Sequence, residues 1–310
     1  MKQILYVVFL MGLALPSFAQ QDPLYNKYMF NPLVLNPAYA GSREALSAIL
    51  LQRWQWVNFE GAPKTQTVSI HTPLLQKKVG IGLSIVNDVI GPTSTTAITG
   101  AYSYRVRLGA GKIAFGLGTG IYNYRFNWEK IDYKDIEYHP LLEKTNYWVP
   151  SFDFGMRFHT NMLYAGIAIS HINQPTIGNV GSTTLTIDSV QYGSSLASYF
   201  TGTMGYAFVL SDQLTFKPSI LFKATRGKLG STDLNLSFWF KKALWVGVSL
   251  RTNYGLVFMA EYDISDNFRV GYSYDYIFNA LQKHNIGSHE LFIGYDLQLL
   301  KSKVLSPRYF

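Results

Sequence analysis

The chain contains 310 residues, of which 48% are hydrophobic and 15% aromatic, and its formal net charge is +8 at pH 7. It contains no cysteine, which excludes disulfides, thiolate chemistry, cysteine metal sites and the lipid anchor of bacterial lipoproteins. The basic residues are dispersed along the sequence, so the charge does not predict binding to nucleic acid. It favours attraction to acidic outer-leaflet lipids or to periplasmic partners instead.

Residues 1–19 predict a cleaved secretory signal. Lys2 precedes an apolar run over residues 4–15, and the small residues Ser17 and Ala19 follow, which is typical of a signal with cleavage after Ala19. The alternative is a membrane anchor, but the run is short for a bilayer span. We therefore expect an exported protein.

Residues 20–43 predict neither a helix nor a strand. The segment contains two Asn-Pro pairs, Asn31-Pro32 and Asn36-Pro37, and a proline both lacks the amide donor and disfavours a helical conformation of the residue before it. The segment is nevertheless too apolar for a linker. Its aromatic residues include Tyr25, Tyr28, Phe30 and Tyr39.

Residues 44–300 alternate between apolar and polar positions. In residues 79–85 apolar side chains alternate with Gly80, Gly82 and Ser84, and residues 268–276 show the same alternation with aromatic rings. A period of two over such lengths predicts strands with one apolar and one polar face. After the signal no apolar run approaches the ~20 residues of a membrane helix, so the apolar mass is expected on the outside of a β-barrel.

About fourteen strands are expected, an even number, as in bacterial single-chain barrels. Their predicted starts lie near Glu44, Lys64, Lys77, Thr95, Lys112, Trp148, Asn161, Leu196, Gln213, Thr232, Ala243, Gly255, Asn267 and Gly287.

The joins between these strands alternate in length. Short joins are predicted at residues 75–76, 109–111, 159–161, 211–212, 241–242 and 265–266, and long ones at 126–147, 173–195 and 278–286. Outer-membrane barrels have short periplasmic turns and long external loops, whereas a soluble β-sandwich has no reason to segregate loop lengths. The tight join at residues 253–254 is the one expected exception. The predicted fold is all-β, a transmembrane antiparallel β-barrel of the outer membrane over residues 44–300, with a periplasmic N-terminus and a tail at residues 301–310.

The inward-facing positions carry charges of both signs, which form a candidate lumen network. The basic members are Arg105, Arg107, Arg157, Lys217, Lys223, Arg251 and Arg269, and the acidic members are Asp153, Glu261, Asp263, Asp275, Glu290 and Asp296. They fit a selective channel, an active site, or a lumen filled by mutually paired side chains. We favour the filled lumen, because fourteen strands lie between small filled barrels and open porins.

No motif predicts an enzyme. The six histidines show no close ligand spacing, which gives no metal site, and no G-x-S-x-G elbow with supporting partners is present. No catalytic residue, metal or cofactor is expected.

The N-terminal segment is a candidate for partner binding or for plugging the lumen. Its aromatic rings are expected to pack against another surface, either of the barrel or of a partner, because aromatic side chains bury a large apolar area. Three interpretations remain open: a plug inside the barrel, docking of a partner across the periplasmic mouth, and packing that serves stability alone. The candidate residues are Tyr25, Tyr28, Phe30, Asn31, Pro32, Asn36, Pro37 and Tyr39.

Several stretches, in order from about residue 21 to the end of the chain, resemble the PorP/SprF family of outer-membrane proteins of the type IX secretion system in Bacteroidota. These stretches are QDPLYNKYMFNPLVLNPAYAGSR, RWQW (residues 53–56), GAPKTQTVSIHTPL (61–74), ND with IG (87–91), GYSYD (271–275), GSHE (287–290) and SPRYF (306–310). One departure is Asn58, where the family is expected to have glycine, and it affects a single external loop.

The resemblance implies a barrel that is not an enzyme and that supports secretion and cell-surface retention of large proteins such as gliding adhesins. The implied partners are the C-terminal domains of those proteins, periplasmic or outer-membrane components of the secretion system, and outer-membrane lipids. Two other functions, a porin or small-solute channel and an outer-membrane hydrolase, rest on the barrel fold alone.

Overall fold

A computed structural model describes residues 31–43, 45–127, 130, 145–177, 194–225, 228–278 and 280–298. The predicted signal, the predicted tail and the candidate residues Tyr25, Tyr28 and Phe30 lie outside these ranges. Within them, no helix has the length and apolar character needed to cross a membrane.

The described residues form antiparallel strands and short 3-10 turns. The strands are β1 (Leu46–Trp54), β2 (Lys64–Leu74), β3 (Val79–Ile90), β4 (Thr93–Leu108), β5 (Gly111–Phe126), β6 (Thr145–His159), β7 (Leu163–Ser170), β8 (Thr176–Ile177), β9 (Ser194–Ser195), β10 (Tyr199–Tyr206), β11 (Phe208–Ser211), β12 (Leu214–Thr225), β13 (Lys228–Phe240), β14 (Leu244–Arg251), β15 (Gly255–Asp263), β16 (Phe268–Ile277) and β17 (Ser288–Leu297). The 3-10 turns are Pro32–Val34, Pro37–Tyr39 and Ala280–His284.

The strands close into a 14-stranded antiparallel barrel, which confirms the predicted fold class. β17 pairs with β1, and β10 pairs with β12. β10 and β11 are two parts of one barrel strand that is interrupted at Ala207. The short strands β8 and β9 pair only with each other, within the join between β7 and β10.

Two rims follow from this topology. The turns between β2 and β3, β4 and β5, β6 and β7, β11 and β12, β13 and β14, and β15 and β16 share one end of the barrel, here called the short-turn rim; the other end is the long-loop rim. The prediction of a single tight join at the long-loop rim is wrong. Gly91 and Pro92 alone separate β3 from β4, and β13 begins at Lys228 soon after β12 ends at Thr225. Gly91 has φ +54, a conformation that glycine adopts without strain and that allows such a tight reversal.

The two faces of the wall differ as the period of two predicts. On β2, Thr67 and Ser69 are buried on the inner face, whereas Val68 and Ile70 are exposed on the outer face. This arrangement inverts that of a soluble protein and places the apolar band where lipid would contact it.

Residues 31–43 of the N-terminal segment lie inside the barrel. Added Cβ atoms at Gly80, Gly116 and Gly155 would collide with Ala40, Ala38 and Asn36 respectively, so these glycines allow close approach of the segment to β3, β5 and β6. On the other side of the lumen an apolar cluster forms around the segment's Leu35. Its buried members are Leu35, Ile49, Leu51, Leu221, Trp239, Trp245 and Phe292. The segment therefore crosses the lumen and packs on opposite walls, and its residues 31–43 are called the lumen segment below.

Candidate functional site

Asn36 fastens the middle of the lumen segment to β6 and β7. Its Oδ1 accepts a hydrogen bond from the amide of Ala38 at 2.9 Å, which caps the second 3-10 turn. Its Nδ2 donates to the carbonyls of Met156 at 3.2 Å and Ile167 at 3.0 Å. Pro37 then begins the turn without needing an amide partner, which explains the Asn-Pro sequence.

The C-terminal part of the lumen segment is fixed to β2 and β4. The guanidinium of Arg105 and the hydroxyl of Ser103 both donate to the carbonyl of Ala40. The amide of Gly41 donates to Nδ1 of His71 at 3.1 Å. All these groups are buried, so the segment satisfies wall groups that would otherwise lose their hydrogen bonds.

Asn31 and Tyr39 of the lumen segment also contact the wall. Oδ1 of Asn31 accepts from the hydroxyl of Ser69 at 3.0 Å. The ring of Tyr39 is 4% exposed and lies 4.5 Å from the guanidinium carbon of Arg157, which stacks on it. Pro32 is half-buried at the start of the first 3-10 turn.

A buried charge cluster links β1, β16 and β17 in the half of the lumen near the long-loop rim. Arg53 donates to Asp275 at 2.7 Å and to Glu290 at 3.3 Å, and all three side chains are fully buried. The hydroxyl of Tyr254 also donates to Asp275 at 3.0 Å. Burial and the charge of Asp275 raise the pKa of Tyr254, so its hydroxyl remains a donor. Arg53 was missing from the predicted network, although the alternation of β1 places it on the same face as Ser47.

A second cluster lies near the short-turn rim. Arg269 contacts Glu261 at 3.4 Å and Asp296 at 3.7 Å. Arg43, at the end of the lumen segment, donates to Asp296 at 3.0 Å. This ion pair connects the segment to the last strand of the barrel.

The other network candidates occupy separate places. Arg251 donates hydrogen bonds of 2.9, 3.0 and 2.7 Å to the carboxylate of Asp233. The ammonium group of Lys217 lies 5.2 Å from the ring centre of Tyr164.

Asp153 accepts a hydrogen bond from the amide of His171 at 2.9 Å. Lys223 lies with its ammonium group 5.4 Å from the ring centre of Tyr199. Arg107 is exposed near the end of β4. The contacts of these described residues thus lie at several places in the lumen and on its rim.

The lumen segment forms the floor of a cavity in the half of the barrel near the long-loop rim. The cavity holds about 870 Å3 of space free of protein atoms, including the part open to solvent. Its lining combines Leu33 and Leu35 of the segment with Asp88, Tyr122 and Lys223 of the wall.

One serine and one histidine form a close pair in the wall of this region. Ser151 Oγ lies 2.7 Å from Nδ1 of His171, and both side chains are 1% exposed. Asp153 accepts a hydrogen bond from the backbone amide of His171. Among the residues that the structure describes, no group of three or more metal-binding side chains occurs.

We expect Asn36→Ala to lower the local stability of the lumen segment by about 1–3 kcal/mol, because two partly buried carbonyls and one buried turn amide lose their partner. Hydrogen exchange measured by mass spectrometry should show faster exchange in peptides covering residues 31–43 and unchanged exchange in the strands. Asn173→Ala is the control, since Nδ2 of Asn173 donates to a strand carbonyl, that of Pro150, away from the segment. Equal exchange in wild type and Asn36→Ala would contradict the anchoring role.

Solved structures of other barrels resemble this fold. A CymD monoaromatic hydrocarbon channel aligns with a TM-score of 0.52 at 10% identity, covering 86% of this chain and 92% of the other. The outer-membrane protein Omp33 of Acinetobacter baumannii aligns with a TM-score of 0.47 at 10% identity, covering 83% of this chain and 100% of the other. At these identities the likeness shows the barrel fold alone.

Sequence comparison identifies the family. No individually curated protein matches the chain significantly. The family model described as "Type IX secretion system membrane protein PorP/SprF" matches residues 17–295, which confirms the resemblance seen in the sequence motifs. The match extends over the lumen segment and almost all of the barrel, and the protein therefore belongs to the PorP/SprF family of type IX secretion system membrane proteins.

Proposed function

We propose that this protein is a non-enzymatic outer-membrane component of the type IX secretion system that supports secretion and surface anchoring of large cargo proteins. It binds their C-terminal domains at the long-loop rim and faces the periplasmic machinery with the short-turn rim. Family membership supports the secretion role. The segregation of long and short joins supports this orientation, because outer-membrane barrels keep their short turns in the periplasm.

The observation that carries the proposal is the occupied lumen. The lumen segment packs on β3, β5 and β6 on one side and on the apolar cluster around Leu35 on the other. A barrel closed in this way is poorly suited to free diffusion of solutes, and its two rims remain as surfaces for protein partners.

A second candidate, a small-solute channel, is favoured by one observation. The cavity above the lumen segment opens toward the long-loop rim and combines apolar, aromatic and charged lining. Such a mixed lining is typical of small-molecule sites. The barrel also shares its fold with a protein described as a monoaromatic hydrocarbon channel.

Gentle extraction of the tagged protein from native outer membrane, followed by identification of the copurifying proteins, tests the first proposal. We expect proteins with type IX C-terminal domains or components of the secretion machinery to copurify, and we expect the purified barrel to show little conductance in planar bilayers. An unrelated barrel from the same membrane, extracted in parallel, is the control. Free ion conduction without any such partner would overturn the proposal in favour of the channel.

A further inference from the structure

The cavity above the lumen segment ends at the segment itself. Leu33, Val34 and Leu35 of the segment line it from below, and Asn36 fixes this part of the segment to carbonyls of β6 and β7. A molecule that enters from the long-loop rim therefore meets an apolar floor. The segment lies across its way onward, so the cavity is suited to holding a molecule.

Small side chains on β4 leave room for a ligand in this cavity. The residues of β4 that line it are Thr95, Ala97, Thr99 and Ala101. Alternate residues of a strand face opposite sides, so these four successive inward positions are all small, whereas the larger Ile98 between them is exposed on the outer face. Their short side chains leave space between β4 and the opposite wall.

Two tyrosine rings form an aromatic wall of the cavity. Tyr122 lies on β5 and Tyr199 at the start of β10, and both line the cavity. The ring of His171 contacts both edge-to-face, with centroid distances of 5.0 Å to Tyr122 and 5.5 Å to Tyr199. Ser151 holds that imidazole in turn, with its Oγ 2.7 Å from Nδ1. A wall of fixed rings favours an aromatic ligand, because aromatic pairs gain energy beyond their buried area in edge-to-face and offset arrangements.

The polar groups of the lining suit an uncharged ligand. Serine and threonine hydroxyl groups line the cavity at Ser84, Thr95, Thr99 and Ser170. The charged side chains in the described lining have both signs, Asp88 and Asp153 against Lys223, so neither sign of charge is strongly selected. Moving a charged molecule from water into a partly apolar cavity costs more than moving a neutral one. An aromatic ring with one hydroxyl group matches such a lining, because apolar surface and a few polar groups together orient a small ligand.

We propose that this cavity binds a small uncharged aromatic molecule the size of phenol, and that the bound molecule stabilises the lumen segment in the barrel. The space of about 870 Å3 includes the part open to solvent, so a single ring fits better than a fused ring system. The ring packs on Leu33 and Leu35, and withdrawal of the segment removes that contact. A ligand that binds only with the segment in place shifts the equilibrium toward that state. The proposal goes beyond the secretion role and does not depend on it.

The test uses the full chain in phosphatidylcholine nanodiscs and 4-fluorophenol, which is uncharged at neutral pH, as the probe. Fluorine NMR should show saturable binding above the partitioning of the probe into empty nanodiscs. Thr99→Trp places a large side chain in the cavity and should abolish the saturable part. Ile98→Trp is the matched control, because it adds the same side chain to the lipid-facing side of the same strand. This control should bind the probe like wild type.

Two measurements on the wild-type chain keep the proposal falsifiable if Thr99→Trp folds poorly. Phenol should displace the probe, whereas cyclohexanol, which has a similar size but no π system, should do so about threefold to tenfold less well. Hydrogen exchange in peptides covering residues 31–43 should slow about tenfold at a free probe concentration about ten times its Kd, because opening of the segment then requires release of the ligand. Exchange in β13 and β14, which do not line the cavity, should stay unchanged.

Four results would each overturn the proposal: no saturable binding to the wild type, equal binding in a folded Thr99→Trp variant, equal displacement by phenol and cyclohexanol, or unchanged exchange in residues 31–43 at saturation. Copurification of cargo is not a readout of these experiments. Failure of the ligand site and failure of the secretion role are therefore distinguishable.

Discussion

Leucine at both Gly116 and Gly155 is expected to expel the lumen segment and to open the barrel. Any Cβ at these positions would occupy the place of Ala38 and Asn36, so the wall and the segment could not both keep their positions. The wall is held by continuous ladders of strand hydrogen bonds, whereas the segment is held by separate hydrogen bonds, one ion pair and apolar packing. We therefore expect the segment to move and the barrel to remain folded.

The measurement is single-channel conductance in planar bilayers. We expect an increase of about an order of magnitude or more, because expulsion would empty the space that the segment now occupies between opposite walls of the barrel. Gly100→Leu is the control. Gly100 lies on the lipid-facing side of β4 between the exposed Ile98 and Tyr102, and a Cβ there meets no atom closer than 3.8 Å. A folded double variant with the conductance of wild type would show that the segment does not close the lumen.

Arg53→Met is expected to cause the largest loss of stability of any single substitution in the charge clusters. It would leave the fully buried carboxylates of Asp275 and Glu290 without their cation. Removal of one partner from a buried ion pair costs about 3–5 kcal/mol, since an uncompensated buried charge remains. The measurement is the free energy of unfolding in urea for the protein folded into lipid vesicles.

Two further variants separate this explanation from a packing defect. Neutralising the acids as well, in Arg53→Met/Asp275→Asn/Glu290→Gln, should recover much of the loss because no buried charge then remains unpaired. Arg43→Met removes a partly exposed cation, with 19% of its side chain accessible, and should cost only about 1 kcal/mol or less. If the triple variant is as unstable as Arg53→Met, unpaired charge is not the cause.

Many of the barrel strands could be predicted from the sequence, because the alternation of apolar and polar residues that marks a strand lies within the strand itself. The largest difference among the strand starts is at β13, which was expected near Thr232 and begins at Lys228. Alternation determines which side chains share a face, and strand length follows from the run of alternating residues. The second tight join, at Gly91-Pro92, consists of a Gly-Pro pair that is typical of turns. It was nevertheless not among the predicted tight joins.

The contents of the lumen could not be predicted in the same way. Inward-facing charges were identified by alternation, yet their partners depend on register between strands that are far apart in sequence. Arg53 binds Asp275 and Glu290 because β1 pairs with β17 and β17 with β16, a closure that no local pattern contains.

The sequence by itself determined that residues 31–43 form no strand and that the residues after them form a membrane barrel, because proline and a period of two act on each residue's own conformation. Only the tertiary structure decided where the Asn-Pro segment lies. Asn36 reaches the carbonyls of Met156 and Ile167, and glycines on β3, β5 and β6 leave room for its backbone. Those contacts join residues more than a hundred positions apart, and they exist only once the barrel has closed around the segment.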